Sequence, residues 1–289
     1  MAKPKAGKLI GSIVKLAIKL RVSLSLELII CLFLSSLLSA CVSSPSKQFL
    51  YKAQQLGFSE SSIETPQFDL KAYYNSSFKP QQNQKLNLYL EGDGQPFFQG
   101  QYINADPTSR KGLMLELMSL DQAPAILIGR PCYHQAGIAR NCDNKWWTSH
   151  RYNEAVVSSM VSAIRQFTAQ TNSRLTLIGF SGGGALAMLI ATELNNVDKI
   201  ITINANLDTD KWVQQHNYTP LTGSLNPIKV LDSLATIPQY HLVGANDTQV
   251  DASVWLDKVQ SYKHSEVRFF QSFSHQCCWA DVWSEIINK

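Results

Sequence analysis

From residue 66 onward the apolar positions keep two distinct periods. Phe68, Leu70, Ala72 and Tyr74 recur at every second residue of 66–74, and Leu86, Leu88 and Leu90 do so before the run stops at Glu91-Gly92-Asp93-Gly94. Period two predicts strands. Ala125-Ile126-Leu127-Ile128-Gly129 is an unbroken apolar run, suited to a strand covered on both faces. Leu175–Ile178, Ile200–Ile203, Tyr240–Gly244 and Val267–Phe270 read as further strands. Between them Val157, Met160, Val161 and Ile164 recur at spacings of three and four, which predicts an amphipathic helix. Residues 184–194 are rich in Ala, Leu, Met and Ile and read as a buried helix, and a closing helix starts near Trp279. Strands alternating with helices predict an α/β fold, a mostly parallel sheet with helices on both faces, in one domain over 56–289. Residues 42–55, rich in Ser, Gln and Lys, read as a tether outside that domain.

Composition changes this picture only at the amino terminus. The 289 residues are 45% hydrophobic and 17% charged, which excludes a disordered or fibrous chain. The formal charge of +4 is concentrated: Lys3, Lys5, Lys8, Lys15, Lys19 and Arg21 face Glu27 alone in the first 40 residues. Removing those six of 26 Lys and Arg, and one of 22 Asp and Glu, leaves 20 basic against 21 acidic residues, so nothing points to a nucleic-acid partner. Positive residues followed by the apolar stretch 28–40 predict a signal peptide over 1–40. Thirteen residues fall short of the roughly 20 that a spanning helix needs. Leu38-Ser39-Ala40-Cys41 resembles the lipobox of bacterial lipoproteins, which implies lipidation at Cys41 and a membrane anchor. Val42, where an Asp would otherwise stand, resembles the pattern directed to the outer membrane of Gram-negative bacteria, facing the periplasm. A start downstream of Met1 and an uncleaved anchor helix from Val22 stay open as alternatives.

Cysteine use fits export. Cys132 and Cys142 flank a short polar loop and are expected to pair in an oxidising compartment. Cys277 and Cys278 are free thiols, a vicinal bridge or partners in trans. A zinc site has no second pair at ligand spacing, so no metal is expected. The sequons at Asn75, Asn217 and Asn246 are read as chance in a bacterial lipoprotein.

The chemistry-bearing signal is Gly179-Phe180-Ser181-Gly182-Gly183, a G-x-S-x-G run between a predicted strand and a predicted helix. Gly179 and Gly183 keep the turn clear, and the turn lifts the Ser181 hydroxyl above the sheet edge beside a helix amino terminus. The alternative is a glycine-rich turn that only packs helix on strand. A phosphate loop is disfavoured because its lysine is missing. A serine hydroxyl needs a base, and the base needs an orienting acceptor. Here the chain resembles the α/β-hydrolase superfamily over about residues 85–289, where the order is serine, acid, histidine. The resemblance implies His275, after the last strand, as base and Asp247, after the strand ending at Gly244, as acid. Asp251 and Asp208 compete for the acid role. His134, His150, His216, His241 and His264 read as surface or packing residues. The resemblance also implies an oxyanion hole from the amides of Gly182 and Asp93, with Gly94 as an alternative to Asp93. Glu91 stands where the family usually carries histidine. The alternative for both Asn246-Asp247-Thr248 and Glu91–Gly94 is a plain turn.

Two readings stand for 131–150, with Arg130, Tyr133, His134, Trp146, Trp147 and His150: a wall of a binding cleft, or a stapled surface loop with its tryptophans in the core, which is slightly favoured. The short stretch 209–236 predicts a minimal cap and an open cleft. Together these readings predict a membrane-anchored serine hydrolase that cleaves a small-molecule, lipid or polymer ester without a cofactor. An acyltransferase on the same fold and a non-catalytic envelope lipoprotein acting as a binding or scaffold module are the alternatives.

Overall fold

In the computed structural model of the protein, residues 44–79, 81–135, 140–169 and 171–287 are described. The expected signal peptide, Cys41 and the alternative anchor helix lie outside them.

The first element corrects the tether. Ser44 caps helix α1 (Pro45–Gln55) by accepting the Lys47 amide, and Pro45 occupies the first turn, where a missing N–H costs nothing. Phe49 and Ala53, one turn apart, are buried. The Phe49 ring lies 5.3 Å from Tyr73 and 4.2 Å from His134. A short apolar stripe suffices to dock a helix whose other faces are polar, so an averaged composition conceals it.

Ser59–Glu64 forms β1 and Asp69–Tyr74 β2, paired antiparallel. Lys85–Leu90 is β3. A two-stranded hairpin follows, β4 (Phe97–Phe98) and β5 (Tyr102–Ile103), then helix α2 (Leu113–Ser119) and β6 (Ala125–Ile128). Helix α3 (Glu154–Thr168), β7 (Arg174–Phe180), helix α4 (Gly182–Ala191) and β8 (Val197–Ile203) come next. Helix α5 (Thr209–His216), β9 (Gln239–Gly244), helix α6 (Leu256–Gln260), β10 (Ser265–Phe270) and helix α7 (Trp279–Ile287) complete the described chain.

Eight strands make one sheet in the order β1-β2-β6-β3-β7-β8-β9-β10. From β6 to β10 every pairing is parallel, and β2 runs against both neighbours. Two apolar layers cover it. Leu86, Leu88 and Leu90 pack with α3 and α4 on one face. Tyr89 and Leu127 face α1, α2 and α7 on the other, where Trp279 and Trp283 are fully buried. The sheet was legible because strands covered on both faces read as continuous apolar runs. Edge strand β1, with Ile63 as its one buried residue, and the β4–β5 hairpin carry no such signal. Residues 209–236 hold only α5 and a 3-10 turn over Pro227–Leu234, a minimal cap. Cys132 is bonded to Cys142 and Cys277 to Cys278. Among the described residues no helix is long and apolar enough to cross a membrane.

Candidate active site

Strand β7 delivers Phe180 to the sheet's carboxyl edge, and the chain turns sharply into α4. Ser181 sits at φ 52° and ψ −121°, a left-handed conformation costly for a residue with a Cβ. Its amide donates to the Ile203 carbonyl at 2.8 Å, which ties the strained turn to β8. The flanking glycines are required by close approach. A Cβ on Gly179 would stand 2.3 Å from the Gly183 carbonyl oxygen, and one on Gly183 would stand 2.2 Å from that of Leu90.

Ser181 Oγ lies 3.1 Å from His275 Nε2, and His275 Nδ1 lies 2.7 Å from Asp247 Oδ2. These three side chains, from the ends of three different strands, form one continuous chain of contacts. His275 is fixed through its carbonyl, which accepts from Asn204 Nδ2 at 3.0 Å and Trp279 Nε1 at 3.3 Å, and its ring packs 4.8 Å from Phe180. Asp247 is fixed by its other oxygen, Oδ1, which accepts the Gln249 and Val250 amides at 2.8 and 3.1 Å. The competing acids lie elsewhere. Asp251 caps a 3-10 turn and accepts from Gln215, while Asp208 caps α5 and accepts from Asn226 Nδ2. Of the other histidines, His134 and His241 are buried, and burial pushes each down to about 3, so neither carries charge at neutral pH.

The loop Glu91–Gly94 crosses directly in front of the Ser181 turn. A Cβ on Gly182 would fall 2.0 Å from Asp93 Oδ1, so the two residues are in direct apposition. Gly182 is the first residue of α4, so its N–H has no carbonyl one turn back. Asp93 and Gly94 line the same cleft as Ser181 and His275. The Asp93 carboxylate is held by Arg130 Nη1, by Arg151 Nη1 at 3.0 Å and by the Tyr152 hydroxyl at 2.7 Å. Tyr133 donates to the Asp93 carbonyl at 3.0 Å, and Arg130 Nη2 to the Arg151 carbonyl at 2.8 Å. Burial alone would raise the Asp93 carboxyl, but the two guanidiniums hold it well below the usual carboxylate range. Beside it, burial pushes the Glu91 carboxyl up to about 7, against the Gly92 and Met114 amides it accepts and the charge of Lys52.

Both readings of 131–150 therefore hold in part. Trp147 is in the core and the Cys132–Cys142 bond staples the loop, yet the loop's two ends send Arg130 and Arg151 to the site. Arg151 and Tyr152 carried no sequence signal, because a buried arginine is recognised by its carboxylate partner, and that partner lies 58 residues away. The cleft holds about 500 Å³, with Arg110, Lys111 and Trp212 at its sides.

The fold has clear relatives. The chain superposes on the Pyrococcus furiosus esterase Pf2001 with a TM-score of 0.57 at 13% identity, over 81% of this chain and 91% of that one. Est1E from Butyrivibrio proteoclasticus superposes with a TM-score of 0.53 at 12% identity, over 79% and 95%. A membrane phospholipase A, described as a bacterial virulence factor, gives 0.50 at 14%, over 91% and 94%. No curated protein matches the chain in sequence. With its strand order and helical layers, the protein has the α/β-hydrolase fold. The family model described as serine hydrolase (FSH1) matches residues 130–275, just over half of the chain and a span running from Arg130 through Ser181 and Asp247 to His275, and so the chain belongs to the FSH1 serine hydrolase family.

Proposed function

We propose that the protein is a lipid-anchored esterase of the bacterial cell envelope, working through Ser181, His275 and Asp247. The observation that carries this is the unbroken relay from the Ser181 hydroxyl through the His275 ring to the Asp247 carboxylate. Asp247 accepts a hydrogen bond from Nδ1–H, which fixes the tautomer with an unprotonated Nε2 that takes the Ser181 proton as Oγ attacks the acyl carbonyl. The resulting oxyanion accepts from the amides of Gly182 and Asp93. The imidazolium then returns its proton to the departing alcohol, and water, activated by the same nitrogen, releases the acid and restores Ser181. No step needs a metal or an organic cofactor. Two fold relatives, an esterase and a phospholipase A, support an ester as substrate, small or lipid-borne.

Export to the periplasmic face of the outer membrane rests on residues 1–42 and is supported by the Cys132–Cys142 bond, which suits an oxidising compartment. A fluorophosphonate probe tests the nucleophile. Wild type is expected to label and Ser181→Ala to stay unlabelled; equal labelling of both would overturn the reading. Release of free acid with competing alcohols present separates a hydrolase from an acyltransferase. Radiolabelled palmitate should mark the wild type, and Cys41→Ala should abolish the mark.

A further inference from the structure

The β4–β5 hairpin has no place in the core, and its composition is wrong for a solvated loop. Phe97 faces Ile103 across the ribbon and Phe98 faces Tyr102. Successive residues of a strand point to opposite sides, so the hairpin is apolar on both faces. Neither face is covered: Phe97 is 40% exposed, Phe98 57%, Tyr102 63% and Ile103 45%. A monomer rarely leaves such side chains together in water without a use for them. Paired strands of two residues add little stability of their own, so the aromatics are not explained by the ribbon.

The hairpin stands at the mouth of the cleft on a braced foot. Gln95 and Pro96, immediately before it, line the cleft, as do Ser109, Arg110 and Lys111 after it. The foot is closed by the Gln95 amide on the Pro107 carbonyl at 2.8 Å and the Asn104 amide on the Pro96 carbonyl at 2.9 Å. Cations border it. Arg110 and Lys111 sit on the same segment and Lys47 is exposed on α1, against Asp106, whose carboxylate accepts the Ser46 and Thr108 amides. Helix α1 also begins here. Ser46, two residues into it, donates its amide to Asp106 at 2.9 Å, and its hydroxyl lies 3.1 Å from that of Thr108. Three residues from Cys41 to Ser44 reach at most about 10 Å. A lipid on Cys41 would therefore hold this end of the body close to the bilayer.

The geometry points to the β4–β5 hairpin as a docking element for an anionic lipid bilayer, its aromatics entering the interface and the flanking cations meeting anionic headgroups, so that the Ser181 cleft opens onto membrane-borne esters. Phe and Tyr suit that boundary, and each nearby cation adds attraction to an anionic surface. The lipid-ester part rests on the esterase reading above and the nearness to a bilayer on the anchor at Cys41; the docking part rests on the hairpin's exposed aromatics and flanking cations.

The test uses the full chain with vesicles of phosphatidylcholine alone and of phosphatidylcholine mixed with phosphatidylglycerol. Hydrogen exchange at amides 97–104 should slow at least about threefold on mixed vesicles and less on neutral ones, whether or not the enzyme turns over. Phe98→Ser combined with Tyr102→Ser should keep hydrolysis of a short water-soluble ester within about twofold, while hydrolysis of a long-chain ester in mixed vesicles falls at least about tenfold. Unchanged exchange on mixed vesicles, equal slowing on both vesicle types, or parallel loss of both activities overturns the docking element. Slowed exchange in a wild type that cleaves neither ester would uphold docking and overturn the esterase reading instead.

Discussion

Asp247 shows how one residue can be both a turn former and a functional group. Its Oδ1 accepts two amides of its own turn, which leaves Oδ2 aimed at His275. The sequence left turn and acid as alternatives, and the two oxygens separate the duties. Asp247→Asn keeps the turn acceptor but favours the wrong imidazole tautomer, so kcat should fall about 10⁴-fold with the circular dichroism spectrum unchanged. Arg130 is a second case. It is fully buried and its charge is balanced by Asp93, so Arg130→Ala removes one of the two guanidiniums on that carboxylate and leaves Arg151 and Tyr152 to hold it beside Ser181. Chemical denaturation should show a loss of stability, smaller than the roughly 3–5 kcal/mol of an uncompensated buried charge because Arg151 remains. Glu91 sets a pH dependence. Its folded value of about 7 lies above the ordinary carboxylate value, so between those limits the native state binds a proton that the unfolded chain has released. Stability therefore falls as pH rises through that window, by on the order of 3 kcal/mol, and urea titrations of Glu91→Gln from pH 5 to 8 should lose this slope.

Among the elements, legibility followed a regular apolar period or run, even in β10, where no residue is buried. β6 is buried at all four positions and β7 at five of seven, and both were plain in the sequence as apolar runs. Helix α1 and strand β1 bury one stripe or one residue each, and their polar remainder dominates any average. The energetics of α1 are nevertheless those of a core element. Phe49 is 1% exposed between Tyr73 and His134, so Phe49→Ala should cost about 3–5 kcal/mol in thermal or chemical unfolding, whereas a free tether would register no change. The helix assigned to 184–194 begins instead at Gly182, because the turn at Ser181 leads straight into it. Local composition could not see that, since three consecutive glycines argue against a helix until the strand and loop packed against them are known.

At the scale of the molecule, bonds between distant segments decide what local sequence leaves open. The Cys132–Cys142 link closes a loop of about ten residues inside the longer segment that runs from Arg130 to Arg151, the two residues that hold Asp93. Replacing both cysteines by serine should lower stability by about 2–3 kcal/mol, read as a lower melting temperature, and should also slow turnover as the Asp93 loop loosens. The central strands, the glycine-rich turn at Ser181 and the positions of Ser181, Asp247 and His275 each just after a strand were legible in the sequence, because each depends on a local period or a short motif. Which carboxylate meets the histidine, what clamps the Asp93 loop and which loop borders the cleft were decided only by tertiary structure. Those are contacts across tens of residues, and a chain's local pattern encodes what a segment buries but not which distant partner it meets.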